Sequence, residues 1–278
     1  MLPVLLTVGP VKVYAYGLFL FLSLFFGLFW WWRLGRDENL DEVKLFDAFF
    51  LSLVWFVIGG RLAYWWWGGG QGWQWWQIFD LWDYPGLIDW FGLSLAGLSL
   101  ISYSRRQNWQ IMKILDMAVV VLSFILMGVN IGGFLNGSNP GKEVAIFGVR
   151  YPGSQSLVFP VDLWGVVWFG LGLWLVAKVR REFRFYSWYK GKRGVAKDGL
   201  SFLVFVGWVG GYYLGDYFLD DHGNWWVGVG LILVSLGWIY HLGGKKLEFK
   251  LELKDRSQTW WGKLRKVLGK RSFKIKRR

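Results

Sequence analysis

Residues Val13–Trp32, VYAYGLFLFLSLFFGLFWWW, decide the fold. This stretch runs 20 residues without a charge. At 1.5 Å rise per residue a helix of that length crosses about 30 Å, the hydrocarbon thickness of a bilayer. No basic segment precedes it and no small-residue cleavage site follows it, so it reads as a retained span rather than a cleaved signal peptide. Trp30, Trp31 and Trp32 close it where an interfacial aromatic belt belongs.

Working outward, Met117–Gly141 is charge-free over 25 residues and Gly223–Gly244 over 22, with one His. Gly199–Gly215 and Leu163–Ala177 are shorter and are completed by aromatic flanks. Ala48–Gly60 becomes long enough when Leu45, Phe46 and Asp47 join it, and Trp90–Ser104 is the weakest of the set. Seven spans are expected. Composition agrees: 54% of residues are hydrophobic, 18% charged and 21% aromatic, including 23 Trp. A disordered chain lacks such aromatics, and a soluble domain carries about 25% charge. Without Cys there is no disulfide, thiolate metal site or cysteine nucleophile, and two His leave little for imidazole–metal chemistry. No cofactor and no metal are expected.

The formal charge of +13 has a place in this scheme. Assigning Lys and Arg to the segments between the seven spans puts 28 of the 32 on one set of alternate segments and 4 on the other. Basic segments stay cytoplasmic, so the N-terminus is expected outside and the C-terminus inside. The expectation is an all-α, seven-helix polytopic membrane protein. Residues 1–244 form its membrane domain, with an outer Gly/Trp arm at 68–90 and an outer Pro/Gly loop at 137–162. Residues 245–278 form a basic cytoplasmic tail. That tail holds 14 Lys/Arg against Glu248, Glu252 and Asp255. Trp260, Trp261, Leu264, Val267 and Leu268 recur between its lysines at helical spacing, which suits either an in-plane helix on anionic lipid or a plain positive-inside tail. No nucleic-acid partner is expected, because no recognition motif accompanies the charge.

Polar groups inside spans are expensive and tend to mark function. Three clusters fall in the outer half of the membrane under this topology: Tyr16-Gly17 in the first span, Gly59-Gly60-Arg61-Leu62-Ala63-Tyr64 at the end of the second, and Asn130-Ile131-Gly132-Gly133-Phe134-Leu135-Asn136-Gly137 in the fourth. Arg61 reads either as a clamp for a lipid phosphate or as an interfacial Arg capping a helix end. Lys142 and Arg150 on the outer loop offer further cations, and surface solvation is the preferred reading of both. Asp216, Asp162 and His222 are the available bases. The spacing Asp216-x3-Asp220-Asp221-His222 also suits either a divalent cation or a solvated loop.

In this order the motifs resemble those of the bacterial prolipoprotein diacylglyceryl transferase family, seven-helix inner-membrane enzymes with the N-terminus outside. VGPVKVYAYGL resembles the family's first-span pattern, with Tyr16 and Gly17 matching. GGRLAY matches its Gly-Gly-Arg-x-x-Tyr element, so Arg61 and Tyr64 carry over. Gly92-Leu93-Ser94-Leu95-Ala96-Gly97 resembles its third-span Gly-x-Ser-x-His-Gly, with Ala96 where the family has His. The family signature Gly-Arg-x-Gly-Asn-Phe-x-Asn-x-Glu-x-x-Gly is kept at Gly132, Phe134, Asn136 and Gly141, while Asn130, Gly133 and Ser138 replace its Arg, Asn and Glu. For the sixth-span Arg and Glu the nearest residues are Tyr212 and Asp216. The resemblance covers roughly residues 8–241.

What it implies is transfer of a diacylglyceryl group from phosphatidylglycerol, or another anionic phospholipid, to the Cys thiol of a prolipoprotein lipobox peptide. Arg61 and Asp216 are the implied catalytic residues, with Tyr16, Arg61, Tyr64, Asn130, Asn136 and Tyr212 binding substrate. A catalytically inactive lipid-binding or structural homologue is the alternative reading of the same residues.

Overall fold

The computed structural model describes residues 3–9, 11–69, 86–144, 146, 148–151, 156–189, 198–219 and 225–243. The basic tail, most of the 68–90 arm, and Asp220, Asp221 and His222 lie outside the described residues. The chain divides into two units, residues 1–238 and 239–278; of the second, the described part is the helical end of α7.

Seven helices follow one another: α1 Ala15–Asp37, α2 Glu42–Ala63, α3 Asp89–Arg106, α4 Ile111–Asn136, α5 Val161–Tyr189, α6 Leu200–Leu219 and α7 Trp225–Gly243. α2 runs on as a wider π-helical turn over Tyr64–Gly69. Among the described residues, five helical segments are long and apolar enough to cross a membrane: Ala15–Asp37, Glu42–Trp67, Ile111–Asn136, Val161–Arg180 and Leu200–Leu219. α3 falls short because serines interrupt it and two arginines end it, and the apolar part of α7, Trp225–His241, is shorter than the rest. The serines soften their own cost, since Ser94, Ser102 and Ser104 each donate to the carbonyl four residues earlier at 2.7–2.8 Å.

Apolar side chains line the outside of these helices. Phe21 is 63% exposed, Val54 52% and Leu171 50%. So much exposed apolar surface is untenable in water and natural against acyl chains.

The all-α expectation holds for the helices and misses two short ribbons. β1 (Val4–Val8) pairs antiparallel with β2 (Val11–Tyr14), with Thr7 opposite Lys12. The ribbon feeds directly into α1, where the Ala15 N–H donates to the Pro3 carbonyl. Between α4 and α5, β3 (Pro140–Glu143) pairs with β4 (Val158–Pro160). A chain leaving the hydrocarbon must find partners for its backbone groups, and a two-stranded ribbon supplies them.

Among the described residues, five helix pairs pack antiparallel, while α4 also touches α6 in the parallel sense. α1 lies on α4, where Gly128 faces Ser23 and Gly132 faces the Tyr16 backbone. α2 lies on α3, α4 on α5, α5 on α6, and α6 on α7 through the reciprocal approach of Gly210 and Gly228. Without a hydrophobic drive between helices in lipid, such small residues let backbones close to contact. Between α5 and α6 the Trp168 and Trp208 indoles stack 4.5 Å apart, and each donates its N–H to the other's carbonyl at 3.0 Å.

The beginnings of α1, α3 and α5 therefore gather with the ends of α2, α4 and α6. The deepest packing is at the opposite end. There Trp31, Leu34, Leu45, Ile114, Met117, Val176 and Phe205 are buried together, and the Trp31 indole N–H donates to the Leu45 carbonyl at 2.8 Å. Asp116 on α4 accepts from the N–H groups of Gly199 and Phe202, capping α6. Arg180 on α5 meets Glu38 after α1 at 3.3 Å, with both side chains largely buried. Packing and ion pairing fix the opposite end, which leaves the site end to carry polar chemistry.

Candidate functional site

Arg61 is the buried cation of the site end. It is 3% exposed, so it does not reach out to solvent as an interfacial cap would. Its Nη1 donates to the Gly86 carbonyl at 3.0 Å, and its guanidinium carbon lies 5.9 Å from the centre of the Tyr64 ring. Local sequence explains both contacts. After α2 the chain returns with the Ile88 N–H on the Gly60 carbonyl, which brings Gly86 back over the helix end. Gly86 has φ +151 and its Cα faces the Tyr64 ring, where a Cβ would overlap ring atoms. Gly-Gly-Arg-x-x-Tyr is thus one local structure: glycines admit the returning chain, and Tyr64 and Gly86 frame the guanidinium.

The fourth-span motif lies at the same end of the bundle. α4 ends at Gly137, whose φ of +74 is the left-handed cap that glycine adopts freely. Just before it, Gly133 lies against the carboxyl of Asp162 on the first turn of α5; an added Cβ would sit 3.0 Å from Cγ and from both carboxyl oxygens. Asp162 is 3% exposed, and its Oδ1 accepts from the Asn139 side-chain amide at 2.6 Å. Tyr151, 5% exposed, directs its hydroxyl to the Asn139 carbonyl at 3.4 Å. Burial pushes the Tyr151 hydroxyl above its ordinary range and the Asp162 charge adds to this, so Tyr151 stays a neutral donor.

The residues nominated from sequence fare differently. Tyr16 opens α1, 39% exposed, within electrostatic reach of Asp89 and Asp162. Asn130 turns its amide to the Leu126 carbonyl at 2.7 Å and packs against Gly165, which ties α4 to α5. Asn136 is exposed, its amide donating to the Ser138 hydroxyl at 2.9 Å. Tyr212 lies in the aromatic layer, 5.0 Å from the Phe169 ring. Its neighbour Tyr213 is the one within electrostatic reach of Asp216 and Asp89. Asp216 is half-buried near the end of α6. Lys142 reaches the Tyr217 carbonyl at 3.3 Å, while Arg150 is exposed. Sequence reading missed Asp89, Asn139, Tyr151 and Tyr213. Asp89 was open to it, as the one acid at the start of the third helix, where the alternation of spans already places the site end.

Buried cation, carboxylates and tyrosine hydroxyls at one end of an otherwise apolar bundle suit the binding of an anionic headgroup at the edge of a membrane. Comparison with known proteins decides the relationship. The family model for prolipoprotein diacylglyceryl transferase matches residues 3–214, more than half of the chain.

The chain belongs to the prolipoprotein diacylglyceryl transferase family.

Relatives named phosphatidylglycerol–prolipoprotein diacylglyceryl transferase include one from Caldanaerobacter subterraneus subsp. tengcongensis, 29% identical over 150 residues, covering 52% of this chain and 56% of the relative. One from Legionella pneumophila is 26% identical over 192 residues, covering 65% and 74%, and one from Clostridium tetani 23% over 221 residues, covering 73% and 85%. The chain thus spans little more than half the length of the Caldanaerobacter relative. The family match includes Arg61, Tyr64, Gly133 and Asp162, and ends at Leu214, two residues short of Asp216.

Proposed function

We propose that this chain moves a diacylglyceryl group from phosphatidylglycerol to the Cys thiol of a prolipoprotein lipobox, in the bacterial inner membrane. The observation that carries the reading is Arg61, buried to 3% exposure within the family's Gly-Gly-Arg-x-x-Tyr element. A guanidinium held out of water at the end of an apolar span, fixed by partners of its own, is placed where a headgroup phosphate can add to its contacts. The reaction supplies one, since negative charge grows on the phosphate as its bond to the diacylglyceryl carbon breaks.

Arg61 holds that phosphate. Tyr16, Tyr64, Asn130, Asn136 and Tyr212 surround the headgroup or hold the helices that do. The proton acceptor is one of the carboxylates gathered at this end, of which Asp216 is the candidate drawn from sequence. The inactive-homologue reading is not favoured, because the matching relatives are named as the transferase itself.

The same reading sets seven spans, with the N-terminus outside, the site end in the outer half of the membrane, and residues 245–278 as a cytoplasmic tail beyond a membrane domain at 1–244. Because the native chain has no Cys, single-cysteine labelling is clean. Ser138→Cys is expected to react with a membrane-impermeant maleimide on intact cells, and Ser272→Cys only after lysis. Labelling of both from one side overturns the topology.

The activity is tested with purified protein, phosphatidylglycerol and a lipobox peptide, where the peptide is expected to gain the mass of one diacylglyceryl unit. An unmodified peptide with intact lipid overturns the reading.

A further inference from the structure

Resting on the transferase reading, we infer that Asp162 takes the proton from the substrate thiol, and that Gly133 is the small residue that lets its carboxyl stand there. Asp162 is 3% exposed, and its two oxygens differ. Asn139 holds the carboxyl with its side-chain amide on Oδ1 at 2.6 Å and with its backbone N–H, whereas Oδ2 is buried with no donor in hydrogen-bond geometry among the described residues. A buried carboxylate oxygen without a donor costs free energy, and the cost is met when a ligand brings an X–H group to it. The proposed substrate brings an S–H.

Gly133 supplies the second, independent observation. It stands where the family signature has Asn, and a side chain there would press on all three atoms of the Asp162 carboxyl at 3.0 Å. An Asn at 133 would displace the carboxyl from this place. The loss of one polar group from α4 therefore reads together with the presence of another on the facing turn of α5. The titratable groups within reach of Asp162 are Tyr16 on α1 and Tyr151 before β4, while α4 presents the side-chain-free Gly133.

The step balances. The thiol proton passes to Asp162 Oδ2, and the sulfur attacks the glyceryl carbon that bears the phosphate. An S–C bond forms as the C–O bond breaks. The phosphate oxygen keeps the electron pair beside Arg61 and leaves as glycerol phosphate. The proton then passes to the departing phosphate or to solvent, which restores the carboxylate.

The test compares wild type with Asp162→Asn in the peptide-transfer assay between pH 6.5 and 9. At neutral pH the variant is expected to lose at least about 100-fold in kcat, the scale of general-base catalysis. Its rate should then climb about tenfold per pH unit toward the free-thiol pKa of about 8.5, because the substrate ionises without help. Phosphatidylglycerol should co-purify with both proteins alike. Gly133→Asn, which leaves the carboxyl in the chain but displaces it, carries the same expectation if Asp162→Asn does not accumulate. A variant within threefold of wild type at all pH values overturns the assignment and leaves the transferase reading intact, as does a loss that is uniform in pH. A wild type that modifies no peptide overturns both.

Discussion

Arg61→Ala is expected to lower the rate of diacylglyceryl transfer by about 10²–10³-fold, the loss that follows removal of one preorganised charge-stabilising donor. The guanidinium already lies in place, buried, with one N–H on the Gly86 carbonyl, so little reorganisation is needed when the phosphate arrives. Removing the side chain also strands the Gly86 carbonyl, at a cost of about 1–3 kcal/mol. Arg61→Gln separates the two effects, because it keeps a donor for Gly86 and discards the charge. It should fold like wild type and transfer as poorly as Arg61→Ala. Arg61→Lys keeps the charge without the planar fork and should fall between wild type and these two variants. Initial rates on phosphatidylglycerol vesicles, beside thermal unfolding in detergent, read both quantities.

Gly92→Leu is expected to destabilise the fold by about 3 kcal/mol, the upper range for overpacking a close contact. A Cβ at Gly92 would lie 2.7 Å from the Phe56 carbonyl oxygen and 3.0 Å from its ring. The ring can turn aside; the backbone oxygen cannot move unless α2 and α3 separate. That pair presents Gly86 to Arg61, so transfer should fall along with stability. Gly97→Ala in the same motif is the control. Nothing lies within 4 Å of a Cβ there, and Ala is the better helix former by about 0.5–1 kcal/mol. Its thermal midpoint should hold or rise. If Gly92→Leu melts with wild type, the α2–α3 contact is not what the packing implies.

Helix number was legible in the sequence because uncharged length is a property of consecutive residues. Helix ends were not. α4 begins at Ile111, six residues before the charge-free stretch, because Asp116 is absorbed in capping α6. α2 begins at Glu42, ahead of Leu45, because the Asp41 carboxylate accepts from the N–H groups of Val43 and Lys44. The Asp116 partners lie on another helix, where a one-dimensional reading does not reach, whereas the Asp41 cap is local and was open to it.

The site divides in the same way. Arg61 and Tyr64 were recoverable because both belong to one continuous motif whose chain returns within 25 residues to Gly86. Which acid is buried was not recoverable. Asp162 and Asp216 both sit at span ends, and only the pairing of α4 with α5 places one of them against Gly133. Tyr212 and Tyr213 differ by one position. The helical turn between them sends the first to Phe169 and leaves the second near Asp216 and Asp89.

The most direct measurement follows both halves of the donor lipid at once. Wild-type protein is given radiolabelled phosphatidylglycerol with a lipobox peptide carrying either Cys or Ser. One glycerol phosphate should be released for each diacylglyceryl-peptide formed with Cys, and none with Ser. Release without peptide modification, or release that ignores the thiol, would mark a lipid hydrolase and contradict the transferase account.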